Sequence, residues 1–189
     1  GTPDQRLQII SLRDDILNIP RLGENNEALS TDERTRRLRD ALTDPGLLNA
    51  QGYLTIPFRT DLEALSPLTR NHKVLYMEVG IEGDDNGDFL GRLYVRQLGT
   101  GIISSVEDEI QYYRFPDRTA VLNPFFNNAY QFKENPDLYR NFRFRDLPMV
   151  NTNWELVINQ RNEEVNKDIN VSLLTDVKLY VYYTDFTVY

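Results

Sequence analysis

The stretch Val177-Lys178-Leu179-Tyr180-Val181-Tyr182-Tyr183-Thr184-Asp185-Phe186 alternates between two sets of side chains and indicates the class of fold. Successive side chains of a β-strand point to opposite faces, so the alternation predicts a strand over residues 176–188. The face predicted to meet the core carries Val177, Leu179, Val181 and Tyr183. The opposite face carries the candidate partner-binding residues Tyr180, Tyr182 and Phe186, because large aromatic side chains are common in protein interfaces.

Seven other stretches have a similar character, being short, rich in β-branched and aromatic residues, and bounded by Gly, Pro, Asn or Asp. They are residues 53–58, 74–82, 89–97, 109–115, 119–122, 140–145 and 153–159. No long helices alternate with them, so we predict a mainly β fold, an antiparallel β-sandwich of about eight strands, jelly-roll or immunoglobulin-like. Residues 74–82 and 89–97 are predicted to form a hairpin, since Asn86-Gly87 between them favours a type I′ turn.

The first 45 residues carry helical patterns. Four apolar residues step by three, four and three positions and predict a helix over residues 5–19, which Pro20 ends. This helix is either the end of an upstream coiled coil or a helix packed on the domain. The four apolar residues are Ile9, Leu12, Ile16 and Ile19.

A second helix is predicted from Ser30, which forms a capping-box signature with Glu33, to about Thr43. Its four arginines are interrupted by Leu38 and flanked by acidic residues, which predicts a solvated, charge-balanced face. We therefore divide the chain into a helical preface over residues 1–45 and a β-sandwich domain over residues 46–189. The arginines are Arg34, Arg36, Arg37 and Arg39.

The composition excludes several classes of function. The 189 residues are 40% hydrophobic and 26% charged, as in one globular domain, and the net charge of −8 argues against nucleic acid binding. The chain has no cysteine, and no apolar run approaches the ~20 residues that span a bilayer, which predicts a soluble domain. It begins Gly1-Thr2-Pro3 without a signal peptide pattern, which we interpret as the boundary of a fragment of a longer protein.

Little in the sequence indicates catalysis. His72 is the single histidine, and its place between polar residues at the start of a strand favours a surface role over a catalytic one. With one histidine and no cysteine, a zinc or copper site is not expected. We predict no catalytic residue and no cofactor. A hydrolase or lyase that uses two carboxylates stays open as a third hypothesis, because sequence does not show their separation.

A weak calcium pattern lies in the acidic connection after residue 82. Asp84, Asn86 and Asp88 have the one-three-five spacing of a calcium loop. Phe89 stands where that motif needs glycine, and Val95 stands where it needs glutamate. A polar hairpin tip is therefore the favoured interpretation, and no metal is predicted. Gly99-x-Gly101 likewise lacks the third glycine and the lysine of a phosphate-binding loop.

Several segments carry a resemblance to a known family. They are residues 38–42, 47–48, 52–57, 61–62, 70, 73–79, 141–148, 154–156 and 175–184. Their order resembles the C-terminal region of the A component of insecticidal toxin complexes, the Tc toxins. Two stretches depart from that family, because residues 71–73 replace a double arginine and residues 83–87 replace a Gly-Pro-Tyr turn.

The resemblance implies a function in assembly. In Tc toxins this region docks against the β-propeller of the B component, and the family supplies no catalytic residues to carry over. The expected function is thus a non-catalytic protein–protein assembly domain of a larger toxin-like protein, from a bacterial, secreted parent. A carbohydrate-binding β-sandwich module is the alternative, because tyrosines, Trp154 and amide side chains can form a sugar platform.

Overall fold

Ten strands and one α-helix make up the part of the chain that the computed structural model describes, residues 2–84, 92–126, 136–158 and 170–188. The helix is α1 (Thr31–Ala41). The strands are β1 (Asp4–Ser11), β2 (Leu54–Thr60), β3 (Thr69–Gly83), β4 (Leu93–Leu98), β5 (Thr100–Ser104), β6 (Ile110–Arg114), β7 (Arg118–Leu122), β8 (Phe125–Phe126), β9 (Thr152–Ile158) and β10 (Leu174–Thr187).

The strands form two four-stranded sheets and a separate hairpin. The first sheet has the order β1-β10-β3-β8, and the second has the order β2-β9-β4-β7. The pairs are antiparallel except β3 and β8. Strand β5 pairs with β6 in the hairpin, and its Ile102 also makes a single bridge to Val150. The buried apolar residues of both sheets, except Phe125 of β8, belong to one core cluster. The prediction of a mainly β sandwich is therefore confirmed.

Strand β10 is central to the first sheet because it pairs with β1 on one side and β3 on the other. Its predicted core face is confirmed, since Val177, Leu179, Val181 and Tyr183 are all buried. The core beneath it contains Trp154 of β9, whose ring meets that of Phe144 edge-on with centroids 5.1 Å apart. Burial of such aromatic pairs stabilises the sandwich beyond the area they remove from water.

The predicted helix from Ser30 is confirmed, but its arginine face is only partly solvated. The Ser30 side chain accepts a hydrogen bond from the backbone N–H of Glu33, as the capping signature predicts. Arg36 and Arg37 bind Glu33 at the surface, whereas Arg34 is buried and donates to the carbonyls of residues 19 and 20. The predicted solvated face is wrong at Arg34, which joins α1 to the preceding loop.

The predicted helix over residues 5–19 is wrong, and neither of its two alternative interpretations, the end of a coiled coil or a helix packed on the domain, holds for these residues. Residues Asp4–Ser11 form β1 at the edge of the first sheet, and Leu12–Ile16 form one π-helical turn. The helical spacing misled because Ile9 lies on the outer face of a strand, whereas Leu12 is buried in the turn beyond it. Residues Asp4–Ser11 form a strand because they pair with β10, and local spacing does not reveal such a distant partner.

The predicted hairpin between residues 74–82 and 89–97 is also wrong. Strand β3 pairs with β10 and β8, whereas β4 pairs with β7 and β9 in the other sheet. The connection with Asn86-Gly87 lies outside the described residues. Residues 140–145 do not form the predicted strand, since residues 143–145 lie in a turn and Asn141 makes a single bridge to Met77.

Candidate protein-binding surface

The outer face of the first sheet carries a row of tyrosines. Tyr182 of β10 lies opposite Leu7 of β1 on one side and Tyr76 of β3 on the other. The rings of Tyr76 and Tyr182 are stacked, with centroids 4.4 Å apart and an angle of 24° between their planes. Tyr180 lies one step along the same face, opposite Ile9 and Glu78. The structure thus brings Tyr180 and Tyr182 together, as the alternation predicts.

On the β3 side, this row is covered by the chain itself. The Phe142 ring lies 5.4 Å from that of Tyr76, and the Arg140 guanidinium lies 5.1 Å from the same ring centroid. The Phe125 ring lies 5.4 Å from that of Tyr180. A glycine makes this possible, because a Cβ atom on Gly80 would stand 2.7 Å from the Phe125 ring.

Burial raises the pKa of the Tyr180 phenol above its ordinary value, because removal from water disfavours the charged form. Tyr180 and Tyr182 are both half-buried, so much of their ring area is already used within the domain.

On the β1 side, the face is open to solvent. Leu7 is 43% exposed and Ile9 is 49% exposed, and each lies beside one tyrosine of β10. The outer aromatic face consists of Leu7, Ile9, Tyr76, Tyr180 and Tyr182. An outward sheet face in water normally carries polar side chains, so these five residues make an unusual surface.

Phe186, the third predicted partner-binding residue, lies apart from this face. It is half-buried opposite Arg70, near the end of β10. It lies four positions after Tyr182, which corresponds to about 13 Å along a strand. The structure therefore groups two of the three predicted residues and leaves Phe186 at the margin.

His72 does not lie at the surface, and this prediction is wrong. Its side chain is 1% exposed, and its Nε2 atom lies 2.8 Å from the Thr69 hydroxyl. Burial lowers the pKa of His72, and the nearby Asp185 carboxylate opposes that shift. Asp185 is buried as well and accepts a 2.7 Å hydrogen bond from Nε of Arg6. These groups lie at one end of the core and tie β1 to β10.

The calcium pattern lies largely beyond the described residues, since Asn86 and Asp88 belong to the part that is not described. Asp84 forms an ion pair with Arg39 of α1. In the described ranges, no group of three or more His, Asp or Glu side chains is placed to hold a metal ion.

The exposed surface of strand β6 was not predicted from the sequence. The strand itself was predicted within residues 109–115, but its exposure was not: all five of its residues are exposed, and Tyr112 is 82% exposed. The signal that could have revealed β5 was Gly99-x-Gly101. A Cβ atom on Gly99 would stand 2.1 Å from the Phe115 carbonyl oxygen, so this strand pair requires a glycine at its base.

The chain is thus a β-sandwich domain with exposed apolar surfaces. No family model matches it, and no curated protein matches it either. Its fold is similar to part of a chain in the cryo-EM structure of Yersinia pseudotuberculosis TcaA-TcaB, with a TM-score of 0.54 and 10% sequence identity. The match covers 97% of this chain and 10% of that chain, and at this identity it concerns the fold alone. Over the described ranges, the helices are too short or too polar to cross a bilayer.

Proposed function

We propose that this chain is a non-catalytic protein–protein assembly domain of a larger toxin-like protein, and that it docks a partner such as a β-propeller subunit. One observation carries the proposal: nearly the whole chain has the fold of one tenth of a longer chain in a two-component structure, TcaA-TcaB. The resemblance of its segments to the Tc toxin A component supports the same interpretation.

The outer aromatic face is the surface that we assign to docking. Its open half consists of two aliphatic side chains, Leu7 and Ile9, beside the tyrosines of β10. The centre of a protein interface is more apolar than the rest of the surface and is enriched in aromatic side chains. Tyr180 and Tyr182 contribute as the rigid floor of this surface, and Phe186 lies at its edge.

The structure favours assembly over the carbohydrate alternative. A sugar platform needs an accessible ring face, whereas the Tyr182 ring is stacked on Tyr76. Trp154, the single tryptophan, is buried in the core beside Phe144. Tyr182 and Trp154, two of the residues that suggested a sugar-binding module, are therefore used in packing within the domain.

The proposal is tested by binding to a purified β-propeller B component of a Tc toxin, measured by biolayer interferometry. We expect saturable binding, and we expect Leu7→Asp to weaken it by about tenfold or more, because the substitution places a charge in an apolar contact. Val121→Asp is the matched control. Val121 is 45% exposed on β7, in the other sheet, so its variant should bind like the wild type.

Circular dichroism of both variants separates loss of docking from loss of folding. Absence of binding at about 50 μM propeller would overturn the propeller version of the proposal, since such an affinity is already weak for a specific complex. Equal weakening by Leu7→Asp and Val121→Asp would overturn the assignment of the outer aromatic face.

A further inference from the structure

Among the described residues, strand β6 is paired along one edge and free along the other. It pairs with β5 along one side, in a continuous register from Thr100 opposite Arg114 to Ser104 opposite Ile110. No other described strand pairs with it. All five of its residues are exposed, which is unusual for a strand that belongs to a folded domain. A row of backbone N–H and C=O groups is therefore available on the side away from β5.

The register shows which backbone groups these are. Hydrogen bonds from Ser105 N to Glu109 O and from Phe115 N to Gly99 O mark the hydrogen-bonded positions of the hairpin. Since such positions alternate along an antiparallel pair, Gln111 and Tyr113 point their backbone groups toward β5. The outward groups are those of Ile110, Tyr112 and Arg114, and none of them meets a hydrogen-bond partner among the described residues.

Natural proteins usually block such an edge with proline, a β-bulge, or charged side chains. Strand β6 has no proline and no break in its register, and its only charged residue is Arg114 at one end. Of its apolar and aromatic residues, Ile110 at the other end is 52% exposed and Tyr112 in the middle is 82% exposed. The edge is therefore open in its backbone and apolar in its side chains, which are the two properties that strand addition uses.

The two ends of β6 carry opposite charges, and this difference determines in which direction an added strand would run. Glu107 and Glu109 precede the strand, whereas Arg114 closes it, and within the described ranges these three side chains form no ion pair. Opposite charges on neighbouring strands stabilise a pair, so the added strand should carry a cation near Glu109 and an anion near Arg114.

We propose that β6 binds an extended segment of a protein partner as a third strand of the β5–β6 sheet. The segment has apolar side chains beside Ile110 and Tyr112, an acidic residue beside Arg114 and a basic residue beside Glu109. A groove lined by Thr100, Ile102, Tyr112 and Arg114 receives one of its side chains. The site is separate from the outer aromatic face, and so it does not depend on the docking proposed there.

A second copy of this chain fits the edge less well than such a segment. Antiparallel pairing of two copies centred on Tyr112 would place each Ile110 opposite the Arg114 of the other copy. That arrangement sets an exposed aliphatic side chain against a guanidinium group at both ends of the pair. The net charge of −8 on each copy also opposes self-association.

The probe is a fluorescein-labelled synthetic peptide of about ten residues that alternates valine with threonine, with lysine at one end and aspartate at the other. Its binding is followed by fluorescence anisotropy, and the protected amides are identified by hydrogen exchange in NMR spectra. We expect saturable binding below about 1 mM, and new protection at the amides of Ile110, Tyr112 and Arg114.

Two protein variants distinguish strand addition from apolar contact. Tyr112→Pro removes an N–H that points away from β5, so it leaves the hairpin hydrogen bonds in place and should weaken binding by about tenfold or more. Tyr112→Thr keeps that N–H and should bind more tightly than Tyr112→Pro. A peptide N-methylated at alternate residues should also lose binding, because it cannot donate to the edge.

Three results would overturn the proposal. They are no peptide binding at about 1 mM, equal affinity of the proline and threonine variants, or a dimer in analytical ultracentrifugation with the outward amides already protected. The last result would assign the edge to a second copy of this chain. None of them bears on the propeller experiment, which uses a different surface and a different ligand.

Discussion

The hydroxyl of Ser11 donates a 2.6 Å hydrogen bond to the buried carboxylate of Asp176, and this contact joins the end of β1 to the start of β10. The same carboxylate accepts from the backbone N–H of Arg13 at 3.0 Å and from that of Val177 at 2.8 Å. One side chain thus fixes the point where the chain leaves the sheet and turns. Burial raises the pKa of Asp176, and these hydrogen bonds oppose that shift.

Replacing this carboxylate should be costly. Asp176→Ala removes the acceptor of a buried hydroxyl and of two backbone N–H groups, and we expect a loss of about 2–3 kcal/mol in the free energy of unfolding. Urea unfolding followed by fluorescence of Trp154, the only tryptophan, measures it. Thr175→Ala, at the half-buried neighbouring position, is the control and should cost less than about 1 kcal/mol. Equal losses in the two variants would contradict this role.

The contact between Ser11 and Asp176 also shows where sequence reasoning reached its limit. Strand β10 and helix α1 were predicted correctly because their signals, alternation and an N-terminal cap, are local. Strand β1 was not, because its partner lies more than 160 residues away and its own spacing imitates a helix. The outer tyrosines were placed on one face by alternation, but only the fold shows that Tyr76 stacks on Tyr182.

A second buried hydrogen bond lies in the core. The indole N–H of Trp154 donates to the Thr60 hydroxyl at 2.9 Å, and both side chains are buried. Thr60→Val keeps the shape but leaves the N–H unsatisfied, so we expect the free energy of unfolding to fall by about 1–3 kcal/mol. Thr55→Val on the same strand, where the side chain is half-buried, should change it by less than about 0.5 kcal/mol. If Thr55→Val also lowered the free energy of unfolding by about 1–3 kcal/mol, then the loss at Thr60 would be a general effect of valine and not of the missing hydrogen bond.

His72 predicts a pH dependence of stability. Its pKa is lowered in the folded protein, so below the ordinary value of about 6.5 the unfolded chain binds a proton that the folded protein does not. The free energy of unfolding should therefore fall as the pH decreases from about 7.5 to 5.5, and His72 should contribute nothing above that range. The charged groups that act on it are Asp185, Arg70 and Arg6.

The variant His72→Gln tests this dependence, because glutamine can still bond to the Thr69 hydroxyl but does not titrate. Urea unfolding at several pH values should give a shallower slope for the variant than for the wild type. Lys73→Gln, at the neighbouring position, should keep the wild-type slope. Identical slopes for His72→Gln and the wild type would show that the buried imidazole is not the group responsible.

The tyrosine stack should contribute to stability independently of any partner. Tyr182→Ala removes a ring that is stacked on Tyr76, and we expect it to lower the free energy of unfolding by about 2 kcal/mol, from lost burial and lost stacking. Tyr182→Phe keeps the stack and should cost less than about 1 kcal/mol. If Tyr182→Ala proves neutral in thermal unfolding, then the stack does not support the sheet.

Gly99 should prove intolerant of any side chain, because it lies at the base of the β5–β6 hairpin. The backbone N–H of Phe115 donates to the Gly99 carbonyl, and a Cβ atom on Gly99 would stand 2.1 Å from the Phe115 carbonyl oxygen. Backbone must move to admit a methyl group there, so we expect Gly99→Ala to cost about 1–3 kcal/mol. At Gly46 the nearest atom to such a methyl group is an Asp44 carboxylate oxygen at 3.2 Å, so Gly46→Ala should cost less. Thermal unfolding compares the two variants, and hydrogen exchange at Tyr113 should accelerate only in Gly99→Ala, because its N–H bonds within the hairpin that the new methyl group forces apart.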